Sequence, residues 1–317
     1  MVVWWSAWPA GVQTVLRQSR PGESTLAYGA RPTIRRKILG RKLSAAREAA
    51  NLSVEQVAEH AGKSGAAIYR QESGHTAVQA SMIPFYANLY GIDDKEEIER
   101  WTAWAKKAKQ RGTWATSGSL VGPSYQDYAD AESLCLELRT WELGAIPGLL
   151  QTKQYSEAVI RAAATVRPGQ LPSEEGEVEA LVGLRESRKQ ILDSETAPRI
   201  WAVIGQPAVM TPPDPRDPKS HREQIQHLLN LGETKATIQV LTTDSGLHVG
   251  LSGSFSILSF DDADMVFREG YGDGSFVDEE VRVRSYQARY ERLQSQALSV
   301  LDTRQLLLET FNSLAKG

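Results

Sequence analysis

The chain has 317 residues, 41% of them hydrophobic and 24% charged, with a formal net charge of −3. That length holds two domains, one with a sizeable core, and the composition is ordinary for a soluble globular protein, which sets aside collagen-like, low-complexity and membrane-embedded classes. Cys135 is the only cysteine, which excludes an internal disulfide and a cysteine-based zinc cage and fits a reducing, cytoplasmic compartment.

The charge is divided unevenly along the chain. Residues 31–111 hold 15 Lys and Arg against 9 Asp and Glu, net +6, whereas residues 112–317 hold 19 against 29, net −10. A basic first part suits a polyanion such as double-stranded DNA, and an acidic second part repels one.

Residues 1–31 begin Met-Val-Val-Trp-Trp-Ser-Ala-Trp-Pro and turn to Gly, Gln, Ser and Arg. The apolar start is too short to span a bilayer, and its basic residues follow the apolar run instead of preceding it as in a signal peptide. A disordered extension is expected, with a membrane-touching Trp cluster as the lesser alternative. Residues 31–50 then place Ile34, Ile38, Leu39, Leu43, Ala46 and Ala50 in a helical stripe, with Arg35, Arg36, Lys37, Arg41, Lys42 and Arg47 over the rest. Arg35 and Arg36, at the helix start, are the best placed of these for phosphate.

Residues 52–74 carry the most information. Ser53 and Gln56 have the spacing of a capping box, Val57, Ala58 and Ala61 share a face, and Gly62 ends the helix. Ser64 caps a second helix anchored by Ile68 and ended by Gly74. Two short helices joined by a tight Gly-containing turn are a helix-turn-helix, whose second helix lies in the DNA major groove. A fourth helix is expected over 81–90, with Pro84 in its first turn, and a fifth after Asp93 or Asp94 through Trp101 and Trp104. These five helices make a domain over 32–111, and the Gly, Ser and Thr of 112–123 mark a linker.

Residues 124–317 read as α+β, giving a chain that is mainly α with α+β. Helices are expected over 125–139, 177–192, 221–231, 278–297 and 303–314, and strands of a small mixed sheet over 199–204, 237–241, 253–260 and 264–268.

No catalytic constellation stands out, so no enzyme activity and no cofactor are expected. His60, His75, His221, His227 and His248 form no i, i+4 pair and no metal-ligand set with cysteine. His221 and His227 read as surface residues and Cys135 as core. The Gly270-Tyr-Gly-Asp-Gly274 run lacks the Gly-Lys-Ser/Thr of a phosphate loop and reads as a turn. Asp261, Asp262 and Asp264 read as turn residues.

Leu52, Ser53, Val57, Ala58, Gly62, Ser64, Ile68, Arg70, Glu72 and Gly74 give the first domain its resemblance to the Cro-type (XRE) helix-turn-helix family. That resemblance implies that Ser64, Gly65, Ala66, Ala67 and Arg70 face DNA bases. Arg70 suits guanine, with a salt bridge to Glu72 or Glu55 as its alternative role. Tyr69, Lys63, Ser53, Gln56 and Thr76 then contact phosphate or sugar. Gly65-Ala66-Ala67 departs from the polar residues common there, so direct readout is expected to be thin.

In the second part, the Ile146-Pro-Gly-Leu-Leu-Gln-Thr152 run, Arg185 with Arg188, Gln224 with Leu228 and Leu229, Gly253-Ser-Phe255 and Ala297-Leu298 resemble the large C-terminal domain of actinobacterial regulators of the WhiJ type. The resemblance implies a cytoplasmic transcriptional regulator, some of whose relatives are antitoxin-like and work with a small partner protein encoded alongside. Two-fold operators imply a homodimer. Lys189 and Gln206 depart from that pattern, where Gln and Glu are usual.

Overall fold

The computed structural model describes residues 33–109, 123–164, 175–261, 263–269 and 274–315. The expected extension at 1–31, the 112–122 part of the expected linker, Asp262 and residues 270–273 lie outside the described residues. Residues 32–317 belong to one compact unit.

The first five helices follow the apolar stripes: α1 (Ile34–Ala49), α2 (Val54–His60), α3 (Gly65–Glu72), α4 (Ile83–Tyr90) and α5 (Lys95–Lys109). Leu39, Leu43, Val57, Ile68, Ile83, Tyr86 and Trp101 form their common core. Asp94 starts α5 by accepting from the N–H groups of Glu96 and Glu97.

The second region continues as α6 (Pro123–Glu132), β1 (Glu137–Glu142), α7 (Lys153–Ala164), α8 (Glu175–Lys189), β2 (Arg199–Gly205), α9 (Gln206–Met210), α10 (Pro218–Thr234), β3 (Ala236–Leu241), β4 (Phe255–Ser259), β5 (Asp264–Arg268), β6 (Ser275–Val277), α11 (Glu280–Gln296) and α12 (Val300–Ser313). The strands form one mixed sheet in the order β3-β2-β1-β4-β5-β6. Strands β1, β2 and β3 run parallel, and β4, β5 and β6 are antiparallel to their neighbours.

Period-two alternation divides the sheet into two apolar faces. Leu138, Ile200, Ala202, Ile204, Ile238, Val240, Leu258 and Met265 enter one core with residues of α6, α10 and α12. Trp141, Val203, Leu241, Ile257 and Val266 enter the other with Val283, Tyr290 and Leu293 of α11. A strand buried on both faces reads as a continuous apolar run, which is why Ile200–Ile204 is legible without alternation.

The helix expected over 125–139 is a correction. It ends at Glu132, and 137–142 is β1, a central strand of the sheet. Leu134, Leu136 and Leu138 recur every second residue, a strand period, although Leu136 itself is exposed. Cys135 is buried as expected, but in the turn before β1 and not in a helix.

Helix α1 belongs to both regions. Ile34 and Ile38 are buried in the sheet-side core, while Leu39 and Leu43, turned about 100° further round the helix, are buried in the core of the first five helices.

Candidate nucleic-acid interface

The α2-turn-α3 unit is built from local hydrogen bonds. Gln56 N–H donates to Ser53 Oγ at 3.2 Å and Ser53 N–H to Gln56 Oε1 at 2.8 Å, closing the capping box. Gly62 has φ +61, a left-handed conformation favoured by glycine, and Lys63 N–H then donates back to Ala58 O at 2.8 Å. Ser64 Oγ accepts from Ala67 N–H to open α3. Ala58 and Ile68, both buried, lie in the shared core.

At its other end α3 is pinned by charge. Arg47 of α1 donates from Nε to Glu72 Oε1 at 2.8 Å, from Nη2 to Glu72 Oε2 at 3.1 Å, and from Nη1 to Leu52 O at 2.9 Å. Both side chains are about nine-tenths buried. One guanidinium thus ties α1, the end of α3 and the loop before α2 together. Gln71 Oε1 accepts from Tyr86 OH at 2.8 Å, and burial pushes the Tyr86 phenol up to about 12.

This leaves an outward face on α3. Ser64, Ala66, Tyr69 and Arg70 are exposed, with Tyr69 at 66%, while Gly65 and Ala67 are half-buried. Arg70 has no ion pair among the described residues, because Glu72 is held by Arg47. Ser53, Gln56 and Thr76 are exposed around this face and Lys63 is half-buried. The Thr76 N–H donates to Arg70 O at 2.8 Å, which folds the loop after Gly74 back onto α3. A Cβ on Gly65 would lie 3.6 Å from Glu55 Oε1, so that carboxylate borders the first turn of α3. Glu55, one of the two alternative partners for Arg70, thus lies beside α3 at its first turn and makes no ion pair with Arg70 among the described residues.

The basic side of α1 is largely turned elsewhere. Arg35 donates to Asp130 Oδ1 at 2.6 Å, Lys37 to Asp278 Oδ2 at 2.9 Å and Lys42 to Asp261 Oδ2 at 2.7 Å. Arg41 reaches Ala263 O at 3.4 Å, and Lys42 also lies over the Trp104 ring. Arg35, expected at phosphate, is therefore engaged with α6, and Arg47 is buried; Arg36 is half-buried. Asp261 is a partner of α1 in addition to being a turn residue. The sequence signal for this contact was the opposite net charge of the two regions, which names no individual partner.

Part of the remaining motif set, Arg185, Arg188, Lys189 and Gln224, converges on the 146–152 run. Gln151 donates to Ile146 O at 2.7 Å, and its Oε1 accepts from Ser156 at 3.0 Å and Arg185 at 3.2 Å. Gln224 spans the same run, donating to Leu150 O and accepting from Thr152 N–H. Arg188 pairs with the buried Glu132 at 2.9 Å, donates to Tyr125 OH and packs against Gly148. Lys189 donates to Gln151 O at 2.6 Å. Gln206 Oε1 accepts from the Thr243 N–H and hydroxyl. His221 corrects the surface reading: it is buried, with Nε2 2.8 Å from Val209 O. His227 is half-buried, and burial pushes its imidazole down. Among the described residues, no three His, Cys, Asp or Glu side chains come together as a metal-ligand group, and no helix is long and apolar enough to cross a membrane.

Two family models match the chain. One, described as a helix-turn-helix domain, covers residues 38–101. The other, described as a domain of unknown function (DUF5753), covers residues 125–309. No curated protein and no solved structure matches it.

Proposed function

We propose, for a chain that belongs to the family of the domain of unknown function DUF5753 and carries a helix-turn-helix domain ahead of it, a role as a sequence-specific transcriptional regulator of the XRE type. The observation that carries this reading is the outward face of α3, where Arg70, Tyr69, Ala66 and Ser64 are exposed and Arg70 has no acidic partner among the described residues. In this reading α3 enters the major groove and Arg70 contacts guanine. Ser53, Gln56, Lys63 and Thr76 hold the flanking phosphates. Gly65, Ala66 and Ala67 offer little to base edges, so DNA shape supplies part of the specificity. The protein acts as a homodimer in the cytoplasm, its C-terminal domain binds an effector, and no catalytic step is assigned to it.

A second reading draws on Leu301, 75% exposed at the start of α12 beside the half-exposed Val300. Here an antitoxin-like chain sequesters a small partner protein through that patch, and DNA binding serves autoregulation.

Fluorescence anisotropy on the protein's own upstream DNA, over a salt series, tests the first reading. Saturable binding that outcompetes random DNA is expected, with Arg70→Ala costing about 1–3 kcal/mol and relaxing preference at its base. Binding that is sequence-blind and indifferent to Arg70→Ala would sink it.

A further inference from the structure

The three parallel strands end side by side at Glu142, Gly205 and Leu241. Beyond those ends lies a cavity of about 390 Å³. In open sheets with parallel strands, ligands bind outside the carboxyl ends of the strands, in clefts of roughly 300–1,000 Å³.

The lining sets the chemistry. Trp141 backs the cavity from the core side: it is fully buried, with its Nε1–H donated to Gly250 O at 3.0 Å. Leu143 and Pro207 supply apolar lining, and Thr242 and Thr243 line it as well, their hydroxyls bonded to Ser245 and Gln206 Oε1. The His248 ring stands edge-on to Trp141, centroids 5.3 Å apart. Its Nδ1 accepts from Gly250 N–H at 3.2 Å, an arrangement that assigns the proton of the neutral ring to Nε2 as a donor. Among the described residues, no Lys, Arg, Asp or Glu lines the cavity. A charged ligand would be desolvated there without a counterion. Leu247 and Leu251 line the cavity as well and are 91% and 50% exposed. Large side chains left this open in one cluster mark a binding surface.

We infer that this cavity binds a small, uncharged, largely apolar molecule of one or two fused rings carrying a hydrogen-bond acceptor. The inference gives a chemical class to the effector of the C-terminal domain and rests on the regulator reading only for the consequence of binding, not for binding itself.

The test uses the full chain and 1-naphthol as probe, followed by saturation-transfer NMR, with 2-naphthalenesulfonate as the charged counterpart. Saturable 1-naphthol binding is expected, with the sulfonate weaker by about tenfold or more. The double variant Leu247→Asp/Leu251→Asp, at two exposed positions, should weaken 1-naphthol by a similar factor at unchanged melting temperature. Independently of that variant, the His248 imidazole resonance, assigned through His248→Asn, should move during the titration. Absence of saturation, equal binding of the sulfonate, a stationary His248 resonance, or full affinity in a folded double variant would each overturn the inference. DNA anisotropy without naphthol, run on the same sample, separates failure of this site from failure of the DNA-binding reading.

Discussion

Arg47 and Glu72 bring opposite charges into a site where each is about nine-tenths buried. Burying both ions is costly, and their short double hydrogen bond offsets that cost only while both are present. Hydrogen bonding to Glu72 raises the Arg47 guanidinium further above its usual range, so it stays charged. Arg47→Ala should therefore destabilise the chain by about 3–5 kcal/mol in urea unfolding, while Arg47→Met combined with Glu72→Leu should recover most of the loss. A loss under about 1 kcal/mol in the single variant would show that the pair contributes little. In the sequence Arg47 belongs to the same basic set as Arg36 and Arg41, and Glu72 looked like a partner for Arg70. Local spacing could not distinguish them, because Arg47 and Glu72 meet across 25 residues.

Helix α1 is where the two regions join, and its start is incomplete by itself. Thr33 precedes it without a side-chain capping bond, and Ile34 N–H is instead taken by Asp127 Oδ1 of α6 at 3.3 Å. Burial pushes the Asp127 carboxyl up to about 6; the Ile34 N–H and Lys37 pull it down, and the nearby Asp130 adds to the rise. A carboxyl raised in the folded state binds its proton more tightly there than in the unfolded chain. Between the ordinary carboxylate range and about pH 6, the stability due to this group therefore falls as pH rises. Asp127→Asn keeps an acceptor for Ile34 and removes the charge. It should stabilise the chain by up to about 2 kcal/mol above pH 6 and give no advantage below about pH 4. Denaturation midpoints across that range decide it, and a gain independent of pH would assign the effect to packing. The element that sequence reading missed most clearly, β1, lies close by. The run of 125–139 holds helix-compatible residues beside the strand-period Leu134, Leu136 and Leu138, and pairing with β2 and β4 makes 137–142 a strand.

On the scale of the molecule, the basic helix of one region lies against acids of the other. Its partners come from α6, from the turn between β4 and β5, and from the segment before α11. Ile34 and Ile38 are at most 2% exposed within the sheet-side core. The helix-turn-helix and the sheet domain should consequently unfold together in calorimetry as one transition, and two resolved transitions would show that α1 does not couple them. The α1 contact lies at the amino end of β1, and the apolar cavity at its carboxyl end, roughly 20 Å apart along six residues of strand. Caps, stop glycines and apolar periods are short-range features, so the sequence alone determined the five first helices, the α2-turn-α3 unit, most strands of the sheet, and the exposure of Ser64, Ala66, Tyr69 and Arg70 on α3, but not that of Gly65 and Ala67. Charge pairing is not short-range. Arg35, Lys42 and Lys37 meet their acids across 95, 219 and 241 residues, and any acid of the second region would have suited them equally on composition. Only the tertiary structure decided that α1 is held by the sheet domain, that Arg35 is taken from the expected DNA surface, and that a cavity lies beyond the carboxyl ends of three strands.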